Sequence, residues 1–331
     1  MWDRRGWICA ALITLVASLT ACATPQDMRD NERAGEPLVV HGSLGTLEIA
    51  PVLLAARDHY PPGAVVRDGG IGNLVGAEPV PGFGESGEAD VATHAETQAL
   101  RYSAKHPDIR IILTVTEGRY RIVARRSAGI ASVADLEGKR VATLATTSAG
   151  YFLSRMLAQE GLSFDDIEAV RISPIEDMAG ALARHEVDAV AIWEPHAGNA
   201  ARALGEDAIE FPGDGVYREL FNLNTTATNL ADPEKRARIV AFVRAIMDAS
   251  QAIARDPEAA QNLVSATSGI ALEEVARSWP TLGFIASVPD DLLNVLVEEE
   301  KWLAAQEGRP PRTRDELARL IDRRVYADAT R

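Results

Sequence analysis

Four short runs of polar residues stand directly after apolar segments in this chain. Ser43-Leu44-Gly45-Thr46 follows Leu38–His41, and Thr93-His94 follows Asp90–Ala92. Thr146-Thr147-Ser148 follows Arg140–Leu144, and Trp193-Glu194 follows Val187–Ile192. In open parallel sheets small ligands sit beyond the carboxyl ends of the strands, so these runs are the candidate contacts. Gly45 permits close backbone approach, with Ser43 and Thr46 as hydrogen-bonding hydroxyls. Thr146, Thr147 and Ser148 open a helix, where free N–H groups favour an anion or a polar group. Trp193 can cover the carbon body of a ligand. His94 can donate to a ligand, and Glu194 can hold an ammonium or fix the cleft. Each run has an ordinary alternative: a strand–helix turn for Ser43–Thr46, surface exposure for His94, simple capping for Thr146–Ser148, and core packing for Trp193. Arg119, Arg121 and Arg125 could bring positive charge to Glu194 or simply lie in solvent.

Other chemistries lack their residues. The six histidines, 41, 59, 94, 106, 185 and 196, include no pair at helical metal spacing. There is no His-Glu-x-x-His, no Gly-x-Ser-x-Gly nucleophile turn and no phosphate-binding glycine loop ending in Lys. We therefore expect no catalytic residue, no metal and no cofactor. A formal net charge of −14 over 331 residues repels phosphate backbones, so nucleic acid is not an expected partner.

The two cysteines, Cys9 and Cys22, both lie at the N-terminus. Arg4 and Arg5 precede an uncharged apolar run from Trp7 to Leu19, shorter than the ~20 residues a spanning helix needs. The run ends in Leu19-Thr20-Ala21-Cys22, the pattern of a bacterial lipobox. Residues 1–21 are accordingly expected to be a lipoprotein signal peptide, Cys22 the lipidation site, and 22–36 a flexible polar tether. The plain alternative is a secretory signal with an incidental cysteine. Lipidation would place the protein on the periplasmic side of the cell envelope, with Ala23 after the cysteine permitting outer-membrane sorting in a Gram-negative cell.

The elements that must position the candidate residues alternate between strand and helix, which is the pattern of an α/β fold with parallel sheets. Ile109–Val115 and Tyr120–Ala124 read as buried strands, Ala208–Phe211 as one more, and Leu220–Ala227 as a return crossing. Asp232-Pro233 starts a long helix whose apolar stripe is Ile239, Phe242, Val243, Ile246 and Ile253. Further amphipathic helices occupy Pro289–Gln306 and Arg314–Ile321.

Asp135-Leu136-Glu137-Gly138-Lys139-Arg140-Val141, then Thr146-Thr147-Ser148 before a helix, then Val187–Ile192 running into Trp193-Glu194-Pro195, resembles the periplasmic binding proteins for nitrate, sulfonates and taurine. The resemblance is strongest over residues 130–250. It implies the type II periplasmic-binding-protein fold: two Rossmann-like lobes joined by hinge strands, with C-terminal helices packed on lobe one. Mapped onto this chain, lobe one is 37–123 plus 227–331 and lobe two is 124–226. The resemblance implies a small ligand between the lobes, of the anionic sulfonate, nitrate or carboxylate kind, an ABC permease as partner, and use of the Thr146–Ala149 loop for binding. A ligand-sensing envelope lipoprotein is the alternative of a different class, and an enzyme on the same fold is a third. The glycine- and proline-rich stretch 69–88 departs from the family, which places a regular helix there, so one rim of the cleft is expected to differ.

Overall fold

The computed structural model describes residues 37–77 and 84–331. The signal peptide, Cys22 and the tether fall outside the described residues, as does 78–83 within the glycine-rich stretch. Among the described residues no helix is long and apolar enough to cross a membrane.

Eleven strands run through the described chain: β1 (Leu38–Gly42), β2 (Ala64–Asp68), β3 (Val91–Ala95), β4 (Ile109–Gly118), β5 (Arg121–Arg125), β6 (Arg140–Ala142), β7 (Glu168–Val170), β8 (Ala189–Ile192), β9 (Ala208–Pro212), β10 (Glu219–Thr226) and β11 (Leu282–Gly283). Six form one sheet in the order β11-β4-β10-β3-β1-β2, and five form another in the order β7-β6-β8-β5-β9. β1 lies parallel to β2 and β3, and β6 parallel to β7 and β8. All four residues of β8, Ala-Val-Ala-Ile, are buried, as a strand covered on both faces requires.

Among the described residues the chain crosses between the sheets only twice. β5 pairs antiparallel with β8 and β9, so it lies wholly in the second sheet. β10 pairs antiparallel with β3 and β4, so it lies wholly in the first. The crossings therefore fall between Gly118 and Arg121 and between Pro212 and Glu219, rather than at 123/124 and 226/227, where the family resemblance maps them. The difference has a simple origin: an apolar strand announces burial, while its sheet is chosen by partners distant in sequence.

β10 has the polar sequence Glu-Leu-Phe-Asn-Leu-Asn-Thr-Thr, yet every residue is buried. Several of its polar groups find partners inside. Thr114 Oγ1 donates to Asn222 Oδ1 at 2.7 Å, Asn224 Nδ2 to the Ala92 carbonyl at 3.2 Å, and Thr225 Oγ1 to the Asp90 carbonyl at 2.7 Å. Without such partners each buried group would cost about 1–3 kcal/mol.

The helix Pro233–Arg255 starts where its sequence says. Asp232 accepts from the N–H groups of Glu234 (2.9 Å) and Lys235 (3.0 Å), a cap worth about 1 kcal/mol. Its stripe of Ile239, Phe242, Val243, Ile246 and Ile253 is buried against the first sheet. The C-terminal helices pack there too, and Ile111 N–H donates to the Leu320 carbonyl at 2.6 Å.

Candidate functional site

Between the two sheets lies a cavity of about 270 Å³. The first sheet contributes Ser43, Thr46 and Glu48 from the segment after β1. It also contributes His94 and Ala95 at the end of β3, Gln98 and Arg101 on the next helix, and Glu219 and Phe221 on β10. The second contributes Leu144 and Thr146–Ser148 after β6, Arg171 after β7, and Trp193 after β8. The carboxyl ends of five strands and the start of β10 thus converge on one cleft.

The Thr146–Ser148 turn is shaped by its neighbours. Thr147 caps the helix Ser148–Gln159: its hydroxyl accepts from Ala149 N–H at 3.3 Å and donates to the Leu144 carbonyl at 2.8 Å. Three residues on, a Cβ at Gly150 would stand 2.3 Å from the Ala145 carbonyl oxygen, so only glycine lets helix and turn approach this closely. Ser148 Oγ and Tyr120 Oη share a hydrogen bond of 3.0 Å. Tyr120 in turn packs edge-on against Phe152 and Tyr217 and lies 6.2 Å from Trp193.

The inner end of the cavity is acidic. Glu48 and Glu219 are 3% and 5% exposed, and each keeps one carboxyl oxygen without a hydrogen-bond partner. Gly118 makes room for both, since a Cβ there would meet Glu219 Oε2 at 2.8 Å and Glu48 Oε1 at 3.5 Å. Burial pushes the Glu48 carboxyl up to about 7 and the Glu219 carboxyl well above the usual range, with Glu48 and Glu96 adding to the latter. Burial moves His94 the other way, down to about 4, so its imidazole is neutral at pH 7.

Polar contacts join the two walls. Gln98 Nε2 and Arg101 Nη2 both donate to the Thr146 carbonyl, at 3.2 and 3.1 Å. Gln306 Nε2 donates to the Ala145 carbonyl at 3.3 Å, and Tyr217 Oη to Glu96 Oε1 at 2.5 Å. Tyr151 and Trp302 meet edge-on at 5.3 Å.

Of the residues picked from the sequence, Ser43, Thr46, His94, Thr146, Thr147, Ser148 and Trp193 line this cavity. Three do not. Gly45 faces a smaller neighbouring recess with Asp68 and His196. Thr93 lies inside β3, opposite Leu223, because the strand runs on to Ala95 instead of ending at Ala92. Glu194 turns away: its carboxylate pairs with Arg121 Nη2 at 2.6 Å and accepts from Gly198 N–H at 3.1 Å and Ser278 Oγ at 3.2 Å. Arg125 is likewise committed, to Asp188 at 2.5 Å, and Arg119 is exposed beside Asp214. The cations at the cavity are Arg101 and Arg171.

Sequence reasoning passed over Glu48, Gln98, Arg101, Arg171, Glu219 and Phe221. Gln98 and Arg101 carried a usable signal, standing four and seven residues after His94 on one helical face. Glu48 was visible as a lone acid in the apolar run Leu47–Leu54. Glu219 and Phe221 reach the site only because β10 threads between β3 and β4. Among the described residues no group of three or more His, Cys, Asp or Glu is placed to hold a metal ion.

Comparison with known proteins agrees with this architecture. A protein of Escherichia coli K12 named as an aliphatic sulfonates-binding protein is 31% identical over 160 residues, which take in 47% of this chain and 47% of that protein. The chain thus spans about half the length of that relative. The alkanesulfonate-binding protein of Xanthomonas axonopodis pv. citri, solved bound to MOPS, superposes with a TM-score of 0.64 at 20% identity, over 86% of this chain and 98% of that one. The desulfurization enzyme DszB superposes with a TM-score of 0.60 at 15% identity, over 89% of this chain and 99% of that one. These two likenesses establish the two-lobed α/β fold, which carries both a binder and an enzyme. The family model described as NMT1/THI5 like matches residues 79–260, more than half of the sequence, and the chain belongs to that family.

Proposed function

We propose that this chain is the solute receptor of an ABC-type importer, holding one small organic molecule between its two lobes. The observation that carries the reading is the enclosed cavity at five strand ends, set between sheets that only two crossings join. Such a hinge lets lobes open and close around a ligand. Trp193 and Phe221 offer apolar faces to the ligand's carbon body, while Thr146–Ser148 and Arg171 meet a polar or anionic end at the mouth. The name of the Escherichia coli relative, a sulfonates-binding protein, supports a receptor role.

The lobes in this reading are 37–118 with 219–331 and 121–212, following sheet membership. We further propose that Cys22 carries lipid after removal of residues 1–21 and tethers the receptor on the periplasmic side of the envelope. Mass mapping of the mature N-terminus checks this: a diacylated Cys22 is expected, and an unmodified start elsewhere contradicts it.

The desulfurization enzyme of the same fold gives the second reading, an enzyme acting on a compound held in the same cleft. One experiment separates the two. The purified mature chain is dialysed against a small-molecule extract, and retained compounds are identified by mass spectrometry. The receptor reading expects one compound per chain, released chemically unchanged. Conversion of that compound on prolonged incubation supports the enzyme instead.

A further inference from the structure

We infer that the inner end of this cavity is built for a nitrogen head group, an amine or ammonium that donates hydrogen bonds to Glu48 and Glu219 together. The inference deepens the receptor reading and rests on it.

Two carboxyl groups from different elements face the same enclosed space, one after β1 and one on β10. Each keeps an oxygen that is buried and without a partner, Glu48 Oε2 and Glu219 Oε2. Native interiors seldom leave such atoms unmatched, so a group with N–H donors is the missing complement. An anion is the poorest fit at this end. Besides the pair itself, Glu96 and Glu299 lie nearby with carboxyls that burial pushes up, and Glu194, paired with Arg121, adds repulsion at Glu48. Tyr120 stands beside Glu219 as a hydrogen-bonding neighbour that holds back the rise of its carboxyl, and it also shares its hydroxyl with Ser148. Arg101 is partly buried, with its Nε unmatched, and is held by Glu307 at 3.0 Å and by the Thr146 carbonyl, while Arg171 is exposed. His94, on the β3 side, is neutral at pH 7. The carbon body of the ligand would then run outward between Phe221 and Trp193.

The two carboxyls resist ionisation while the space around them is dry, because burial disfavours the charged form. An ammonium reverses that preference by supplying the opposite charge, so its binding expels protons. Affinity for an amine should therefore rise with pH as the carboxyl near 7 ionises. A ligand that instead accepts hydrogen bonds from two protonated carboxyls would bind more weakly as pH rises.

Isothermal titration with three probes of one carbon skeleton tests this: 2-phenylethylamine, 2-phenylethanol and 2-phenylethanesulfonate. The amine is expected to bind about tenfold or more tighter than the other two, a step of about 1.4 kcal/mol. Its affinity should increase between pH 6 and pH 8. Glu48→Gln and Glu219→Gln, each isosteric, should each remove most of the amine preference. Equal or tighter binding of the sulfonate, an amine affinity that falls with pH, or no measurable amine binding overturns the inference. The pH dependence needs no variant, so it decides the matter even where a substitution impairs folding. Tight sulfonate binding unchanged by both substitutions would defeat the amine head group while leaving the receptor standing. Failure of the receptor reading shows separately, as conversion of the compound retained in dialysis.

Discussion

Replacing Glu194 with Ala distinguishes a structural carboxylate from a ligand contact. The side chain is buried, pairs with Arg121 at 2.6 Å, and accepts from Gly198 N–H and from Ser278 Oγ. Removing one partner of a fully buried pair typically costs about 3–5 kcal/mol, because the other charge is left without compensation. Here the loss is smaller. Arg121 is 27% exposed and also meets Glu210 at 3.0 Å, so water and a second carboxylate take up part of its charge. To that reduced loss is added the orphaned Gly198 N–H in the first turn of its helix, about 1 kcal/mol. The expected total is on the order of 3 kcal/mol for Glu194→Ala, and about half of that for Glu194→Gln, which keeps an acceptor. Urea unfolding followed by circular dichroism measures both. Affinity for the compound retained in dialysis should change by less than about fivefold in Glu194→Gln, since only the bond to Ser278 crosses the cleft and one neutral hydrogen bond is worth about 1 kcal/mol. A Glu194→Gln variant of unchanged stability whose binding falls a hundredfold would refute this reasoning and make Glu194 a ligand contact.

Three further outcomes follow from the same geometry. The raised Glu48 carboxyl favours folding below its ordinary value of 4.5, and that contribution is lost as pH rises through about 7. The difference is on the order of 3 kcal/mol, so Glu48→Gln should flatten the fall in urea stability between pH 5 and pH 8 by about that amount, and an unchanged slope would contradict it. Trp193→Ala should weaken binding of the retained compound by about 2 kcal/mol or more while leaving the circular dichroism spectrum intact, as loss of an anchoring aromatic does; equal affinity in calorimetry would remove Trp193 from the site. Gly150→Ala should lower the melting midpoint by an amount equivalent to about 1–3 kcal/mol, because its new methyl meets the Ala145 carbonyl, and a midpoint like that of the unaltered chain would show the turn can yield.

The α/β class and most of the strand-end loops were legible because they rest on local patterns. Asp232-Pro233 marks a helix start through its own backbone, and Thr146-Thr147-Ser148 does the same before Ala149. What escaped were features decided at long range. β10 reads as a polar crossing, and only its pairing with β3 and β4 makes it a central buried strand that carries Glu219 into the cavity. Thr93 looked like a strand end because its own sequence does not show that pairing with β10 extends β3 to Ala95. Glu194 reads as a candidate because Trp193 beside it lines the cavity. Successive residues leaving a strand point in different directions, and the partners that claimed Glu194, Arg121 and Ser278, are 73 and 84 positions away.

The central claim is that two lobes close around a small molecule. The hydrogen bonds from Gln98, Arg101 and Gln306 to the 145–146 turn, and from Ser278 to Glu194, describe the closed arrangement. Small-angle X-ray scattering of the mature chain, first stripped of ligand and then saturated with the compound retained in dialysis, tests that claim most directly. The stripped chain should show a larger radius of gyration, and the saturated chain a curve that fits the closed arrangement. Identical curves at full occupancy, verified by calorimetry on the same samples, would contradict it.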